Sequence, residues 1–166
     1  MGNFYKDVIK KDSRFNSINK INDLALLEPK TRAAVVAIIA DGKAMGLELR
    51  VLETYRSQAR QHQLFQMGAT QLSKVGCHGY GLAADIGIIT DNRLDPDGIH
   101  YDALRKLAEK HGLISGSDWG MPNVKHSFRD YDHVQRIAVK RQASVFAETW
   151  YPDESYNPLV DLGRAK

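Results

Sequence analysis

The sequence predicts a single α+β domain, and three observations carry that expectation. Helical and strand-like segments are intermixed without the strict strand–helix alternation of a doubly wound sheet. The 166 residues leave room for one sizeable core and hardly for two. Apolar residues make up 43% and charged residues 26%, a globular mixture that argues against disorder.

The elements follow in order. Residues 1–28 mix short apolar clusters with polar breaks and predict a helix or two around Ile18–Leu27. Pro29 suits a first helical position, and the alanine-rich run Lys30–Met45, with Val35, Val36, Ile38 and Ile39, predicts a buried helix closed by Gly46. Leu47, Leu49 and Val51 alternate with Glu48 and Arg50, the pattern of a half-buried strand. Ser57 can cap a helix that runs to Met67 and stops at Gly68. Leu82–Ile89 is apolar apart from Asp85 and predicts a buried strand. Asp91–Gly98 is dense in turn formers, and Tyr101–His111 places Leu104, Leu107 and Ala108 on one helical face. Residues 115–127 predict a glycine-rich polar loop, and His133–Val139 a last strand. The aromatic and polar residues from Thr149 onward have no evident place. Three segments result: an N-terminal helical segment over 1–28 packed on the core, a core over 29–138, and a tail over 139–166.

Charge and cysteine content narrow the chemistry. Lys+Arg total 23 against 20 Asp+Glu, a formal +3 that suits an anionic partner. The basic residues are scattered, with no helix concentrating them on one face, so nucleic acid is not expected. The single cysteine, Cys77, excludes an internal disulfide and a multi-cysteine zinc site. A metal would draw on His62, His78, His100, His111, His126, His133 and carboxylates. The first fifteen residues carry charges throughout and no apolar core of a secretory signal, and Lys6 stands where a myristoylation signal needs Ser or Thr. The longest apolar stretch, Ala33–Ala40, is too short to span a bilayer. Synthesis in the cytoplasm without membrane insertion is expected.

Three groups carry chemistry. In His78-Gly-Tyr-Gly-Leu-Ala-Ala-Asp85, an aspartate inside an apolar strand is costly unless paired or bound to a cation. Gly79 and Gly81 allow the sharp turn that brings a loop histidine back to it. The second group is Asp130-Tyr-Asp132-His133, and the third is Tyr55-Arg56-Ser57 at the end of the first strand. Two histidines and a carboxylate form a catalytic zinc set with the fourth position open to water, whose pKa falls toward ~7. A further carboxylate is then required as general base: Asp130, three residues before His133, reaches that water if the segment turns between them, and Asp132 is the alternative.

These blocks resemble the zinc D-alanyl-D-alanine carboxypeptidases and L-alanyl-D-glutamate endopeptidases of peptidoglycan. The resemblance lies in H-x-x-G-x-A-x-D from His78, in D-x-x-H from Asp130, and in Tyr55-Arg56-Ser57 followed by Gln61, Leu64, Phe65 and Gly68. Asp118-Trp119 and Ser127–Gln135 are similar to a block of phage endolysins in that family. The blocks fall in the family's order over about residues 29–138. The resemblance implies a compact α+β fold of the Hedgehog/D-Ala-D-Ala-peptidase kind, with a small antiparallel sheet and flanking helices. It implies one Zn2+ ion on His78, Asp85 and His133, Asp130 as the base, and substrate contacts from Arg56, Gln61 and Trp119. The implied substrate is the peptidoglycan stem peptide, cut as an L-alanyl-D-glutamate endopeptidase or, alternatively, as a D,D- or L,D-carboxypeptidase. The enzyme would be a monomer of phage-lysis type, reaching the wall after a holin or secretion system releases it.

The chain departs from the family pattern at Gly76, where a serine is usual, at Cys77, at the lengthened stretch Gly120–His126, and at Val134. Two other classes remain. Cys77 beside His78 could serve a cysteine peptidase, although adjacent residues on an extended chain point to opposite sides. A non-catalytic wall-binding protein could keep zinc for structure, but a closed structural site needs no base such as Asp130.

Overall fold

The computed structural model describes residues 3–95, 100–119 and 129–164. His126, the stretch 120–126 and the turn residues 96–98 singled out above lie outside the described residues. The chain opens with α1 (Phe4–Asp7), capped by the Asn3 side chain, and a 3-10 turn at Ile9–Lys11. The helix expected around Ile18–Leu27 is corrected to a 3-10 turn at Leu24–Leu26. The backbone before it is committed elsewhere. Ile21 bridges Tyr55, and the Ile21 carbonyl accepts from the Thr54 amide at 2.7 Å and the Thr54 hydroxyl at 3.2 Å. A carbonyl used in this way does not close a helical turn.

α2 (Pro29–Ala44) begins at Pro29, with the Glu28 carboxylate accepting from the Lys30 and Thr31 amides, and Gly46 follows its end at φ 80°. Its burial is one-sided: Thr31, Ala34, Val35, Ile38 and Gly42 face inward, while Val36 is 50% exposed. The helix expected to be buried is thus buried along one face, because one sheet face covers only a stripe of a helix. β1 (Glu48–Glu53) leads to α3 (Gln58–Gln66), whose Ser57 cap accepts from the Arg60 amide. A 3-10 turn at Cys77–Tyr80 precedes β2 (Ala83–Thr90). Asp91 and Asn92, both at positive φ, form the two-residue turn into β3 (Arg93–Leu94).

α4 (Tyr101–Lys110) is followed by β4 (Ile114–Ser115) and a 3-10 turn at Gly116–Asp118, so the expected loop from 115 begins with ordered elements. β5 spans His133–Gln135, shorter than the strand expected to Val139. Arg136 turns inward to Glu28, and Val139 opens α5 (Val139–Phe146). The tail is placed as well, with α6 (Pro158–Asp161) near its end.

The five-stranded sheet runs β1-β2-β5-β4, with β3 folded back on the end of β2, and every pairing is antiparallel. The α+β class expected from the sequence is the class this chain has. On β2, Ala84, Ile86 and Ile88 pack with Val35 and Ile38 of α2, Leu104 and Leu107 of α4, and Val134 of β5. Strand alternation then sends Ala83, Asp85 and Gly87 to the other face. The register pairs Asp85 with Glu53 of β1 on one side and with His133 of β5 on the other.

Candidate metal centre

The sheet thus sets Glu53, Asp85 and His133 in one row across three strands. His78 joins from outside the ladder, on the 3-10 turn Cys77–Tyr80. Gly81 ends that turn at φ 70°, where a Cβ would lie 2.8 Å from the Leu26 carbonyl oxygen, so only glycine fits the return onto β2. His78 Nε2 lies 3.0 Å and His133 Nδ1 3.1 Å from the same oxygen, Asp85 Oδ1, and the rings are 5.0 Å apart. All three ligand atoms fall within 4.8 Å of one another.

The outer partners decide which nitrogens face inward. His78 Nδ1–H donates to the Thr54 carbonyl at 3.0 Å, which leaves an Nε2 lone pair toward Asp85. The Gln135 amide nitrogen donates to the Ile137 carbonyl at 2.6 Å, so its Oε1 accepts from His133 Nε2–H at 2.9 Å. The lone pair of His133 Nδ1 therefore also faces Asp85. Three acceptors meeting at this range repel unless a cation lies among them or a ring takes a second proton. The donor set fits zinc, whose tetrahedral ligands stand roughly 3.3 Å apart given bonds near 2.0–2.1 Å. Burial works to raise Asp85 and to lower His133. Even so, the two imidazoles hold the Asp85 carboxyl well below its usual range, and Asp85 holds His133 above its own.

Arg56 stands beside Asp85. Its guanidinium donates to the buried Glu53 carboxylate, to Gln61 Oε1 at 3.2 Å and toward Asp85 Oδ2 at 3.5 Å. Arg60 donates to the second Glu53 oxygen at 2.8 Å. Gln61 is buried, and its amide nitrogen donates to the Leu72 carbonyl at 2.6 Å. It thus ties Arg56 to the loop after α3 and has no exposed face. Glu53, Thr54 and Gln135 are the supporting residues that sequence reasoning missed. Gln135 lies two residues from His133 on a strand, hence on the same face, which is the one signal that could have found it.

Asp130 and Asp132 approach from the segment before β5, and their carboxylates cluster with that of Asp85. Burial and the adjoining Asp130 carboxyl push Asp132 up to about 8. The turn at Gly116–Asp118 supports Asp130, whose amide donates to the Gly116 carbonyl at 3.3 Å. A Cβ on Gly116 would come within 2.3 Å of the Asp130 carbonyl oxygen. Trp119 is half-buried with its ring 5.1 Å from that of His133. Of the other histidines, His62 is exposed, His100 pairs with Asp95, and His111 contacts Asp41 at 2.8 Å. Cys77 is buried among Leu82, Ala83, Ile137 and Val145, and burial pushes its thiol up to about 12.

No family model matches the chain, and no curated protein matches it. Solved structures do. The L-Ala D-Glu endopeptidase ChiX of Serratia marcescens superposes with a TM-score of 0.54 at 21% identity, over 73% of this chain and 93% of that one. VanYB in complex with D-alanine-D-alanine gives a TM-score of 0.51 at 13% identity, over 84% of each chain. A mutant of the vancomycin resistance D,D-pentapeptidase VanY, in complex with Zn(II), gives 0.50 at 14% identity, over 73% of this chain and 78% of that one. No helix among the described residues is long and apolar enough to cross a membrane. At these identities the likeness is one of architecture, and the chain has the α+β fold of these peptidases.

Proposed function

We propose that the protein is a zinc-dependent peptidoglycan peptidase that hydrolyses an amide bond of the stem peptide. The carrying observation is the convergence of His78 Nε2, Asp85 Oδ1 and His133 Nδ1, with tautomers set by Thr54 and Gln135 so that lone pairs point inward. The fold supports the reading, as does the family resemblance of the same residues. His78, Asp85 and His133 would hold a divalent ion, which would supply Lewis acidity to the scissile carbonyl and to a water molecule. Asp130 takes the proton of the attacking water and returns it to the leaving amine. Asp132, whose carboxyl contacts that of Asp130, steadies it. Arg56, held by Glu53 and Gln61, faces the negative charge that develops on the carbonyl oxygen or a carboxylate of the substrate. Trp119 forms a wall beside His133.

The first choice of bond is L-alanyl-D-glutamate, and the alternative is D,D- or L,D-carboxypeptidase action. Synthesis in the cytoplasm followed by release to the wall remains part of the proposal. The cysteine peptidase reading is disfavoured, because a buried thiol pushed up to about 12 holds almost no thiolate at neutral pH. Purified sacculi digested with metal-stripped and zinc-restored protein, with new termini identified by mass spectrometry, test the proposal. N-terminal D-glutamate supports the endopeptidase, and released D-alanine the carboxypeptidase. No zinc-dependent product overturns the peptidase reading.

A further inference from the structure

His78 sits on a four-residue turn that no sheet ladder holds, yet a metal ligand must keep its place within a fraction of an ångström. Besides the Thr54 carbonyl on the His78 ring, the Arg56 amide on the His78 carbonyl and the Tyr5 ring against Tyr80, the contacts that hold this turn come from the far end of the chain. Tyr151 Oη donates to the Tyr80 carbonyl at 2.8 Å. The Tyr80 ring stacks on Phe146 at 5.3 Å, and the Gln142 amide donates to Cys77 Sγ at 3.5 Å. The same segment reaches the other side of the centre. Arg164 donates to Asp118 at 2.6 Å, and this carboxylate is only 8% exposed. Asp118 ends the turn that carries Trp119 against His133 and Gly116 against Asp130. Between the two latches the segment is fastened to itself and to the core. Arg136 donates to the Asp153 carbonyl, and Asp161 accepts from Arg141 and Tyr156 at 3.0 Å each.

We infer that residues 139–164 brace the metal centre from both sides, with Tyr151 the positioning residue for His78 and Arg164, through Asp118, the positioning residue for His133. The inference rests on the reading of His78, Asp85 and His133 as metal ligands. Outer partners of ligands typically change metal affinity by about 10–100-fold, and these contacts lie one step further out. An effect of about three- to tenfold per latch is therefore expected.

The test measures Zn(II) dissociation constants of the full chain by competition with a chromogenic chelator, together with the absorption spectrum of the Co(II)-loaded protein. Tyr151→Phe and Arg164→Met should each weaken Zn(II) binding and shift the Co(II) bands. The double variant should lose the product of the two factors, and Arg164→Lys should recover part of the loss. Glu154→Gln, an exposed position on the same segment, should leave both readings unchanged. Wild-type affinity and spectrum in Tyr151→Phe and Arg164→Met, whatever their melting temperatures, would overturn the brace. An equal loss in Glu154→Gln would also overturn it, since general loosening would then explain the effect. Wild-type protein that takes up neither metal would sink the ligand reading itself, and the brace with it, an outcome seen before any variant is made.

Discussion

The two halves of the centre are built differently. Asp85 and His133 are register partners on neighbouring strands, so the backbone ladder that makes the sheet also sets their spacing. His78 lies outside the ladder and is held by single contacts: the Thr54 carbonyl on its ring, the Arg56 amide on its carbonyl, the Tyr151 hydroxyl on its turn, and the packing of Cys77 and Tyr80 against α5 and Tyr5. A sheet position is shared among many hydrogen bonds and tolerates the loss of one. A turn held by few contacts concentrates its sensitivity in them. The sheet half should therefore respond most to changes at its immediate partners and less to the distant Arg164 latch, and the turn half to its few contacts, near and far in sequence, alike.

The largest effect should separate chemistry from both halves. Asp130→Ala is expected to lower hydrolysis by about 10²–10⁴-fold while zinc content and melting temperature stay near wild type. Metal loss alongside activity would instead make Asp130 part of the holding set. Next comes the immediate partner on the sheet half. Gln135→Leu removes the acceptor of His133 Nε2–H in a buried place, and zinc affinity should fall by about 10–100-fold. If Tyr151→Phe cost more than Gln135→Leu, the ranking of the halves would be reversed. Gly116→Ala should act on geometry alone. The added carbon meets Asp130, so stability should drop by about 1–3 kcal/mol. Hydrolysis should fall by up to about 10²-fold, with zinc affinity little changed.

The smallest effect concerns acid. Burial works the other way, but hydrogen bonds from Lys140, Arg141 and Tyr156 hold Asp161 at about 2, below the ~3.9 of an unfolded chain. A depressed carboxylate adds stability that is complete above the unfolded value and disappears as pH falls through the folded one. Urea midpoints should accordingly decline between about pH 4 and 2, and the decline should be shallower in Asp161→Asn. Equal slopes would remove Asp161 from the supports of the C-terminal segment.

This contrast also explains what the sequence disclosed. Asp85 was visible because a charge inside an apolar strand demands a partner, and His133 because D-x-x-H accompanies it. The helix from Pro29 and the cap at Ser57 were visible because their signals are local. The supports were not. Thr54 acts through a carbonyl, which has no side-chain signature, and Tyr151 acts on a residue 71 positions earlier. The helix expected around Ile18–Leu27 gave way to the pairing of Ile21 with Tyr55 for the same reason: a distant backbone outbid local preference. Gln61 carried a substrate signal in its motif, but its burial makes it the link between Arg56 and Leu72.

The central claim is that one ion is held by these three side chains. Calorimetric titration of metal-stripped protein with Zn(II) tests it most directly. The account predicts one equivalent per chain in the wild type and in Asp130→Ala, and none at comparable affinity in His78→Ala, Asp85→Ala or His133→Ala. Wild-type stoichiometry in Asp85→Ala, or no uptake by the wild type, would contradict it.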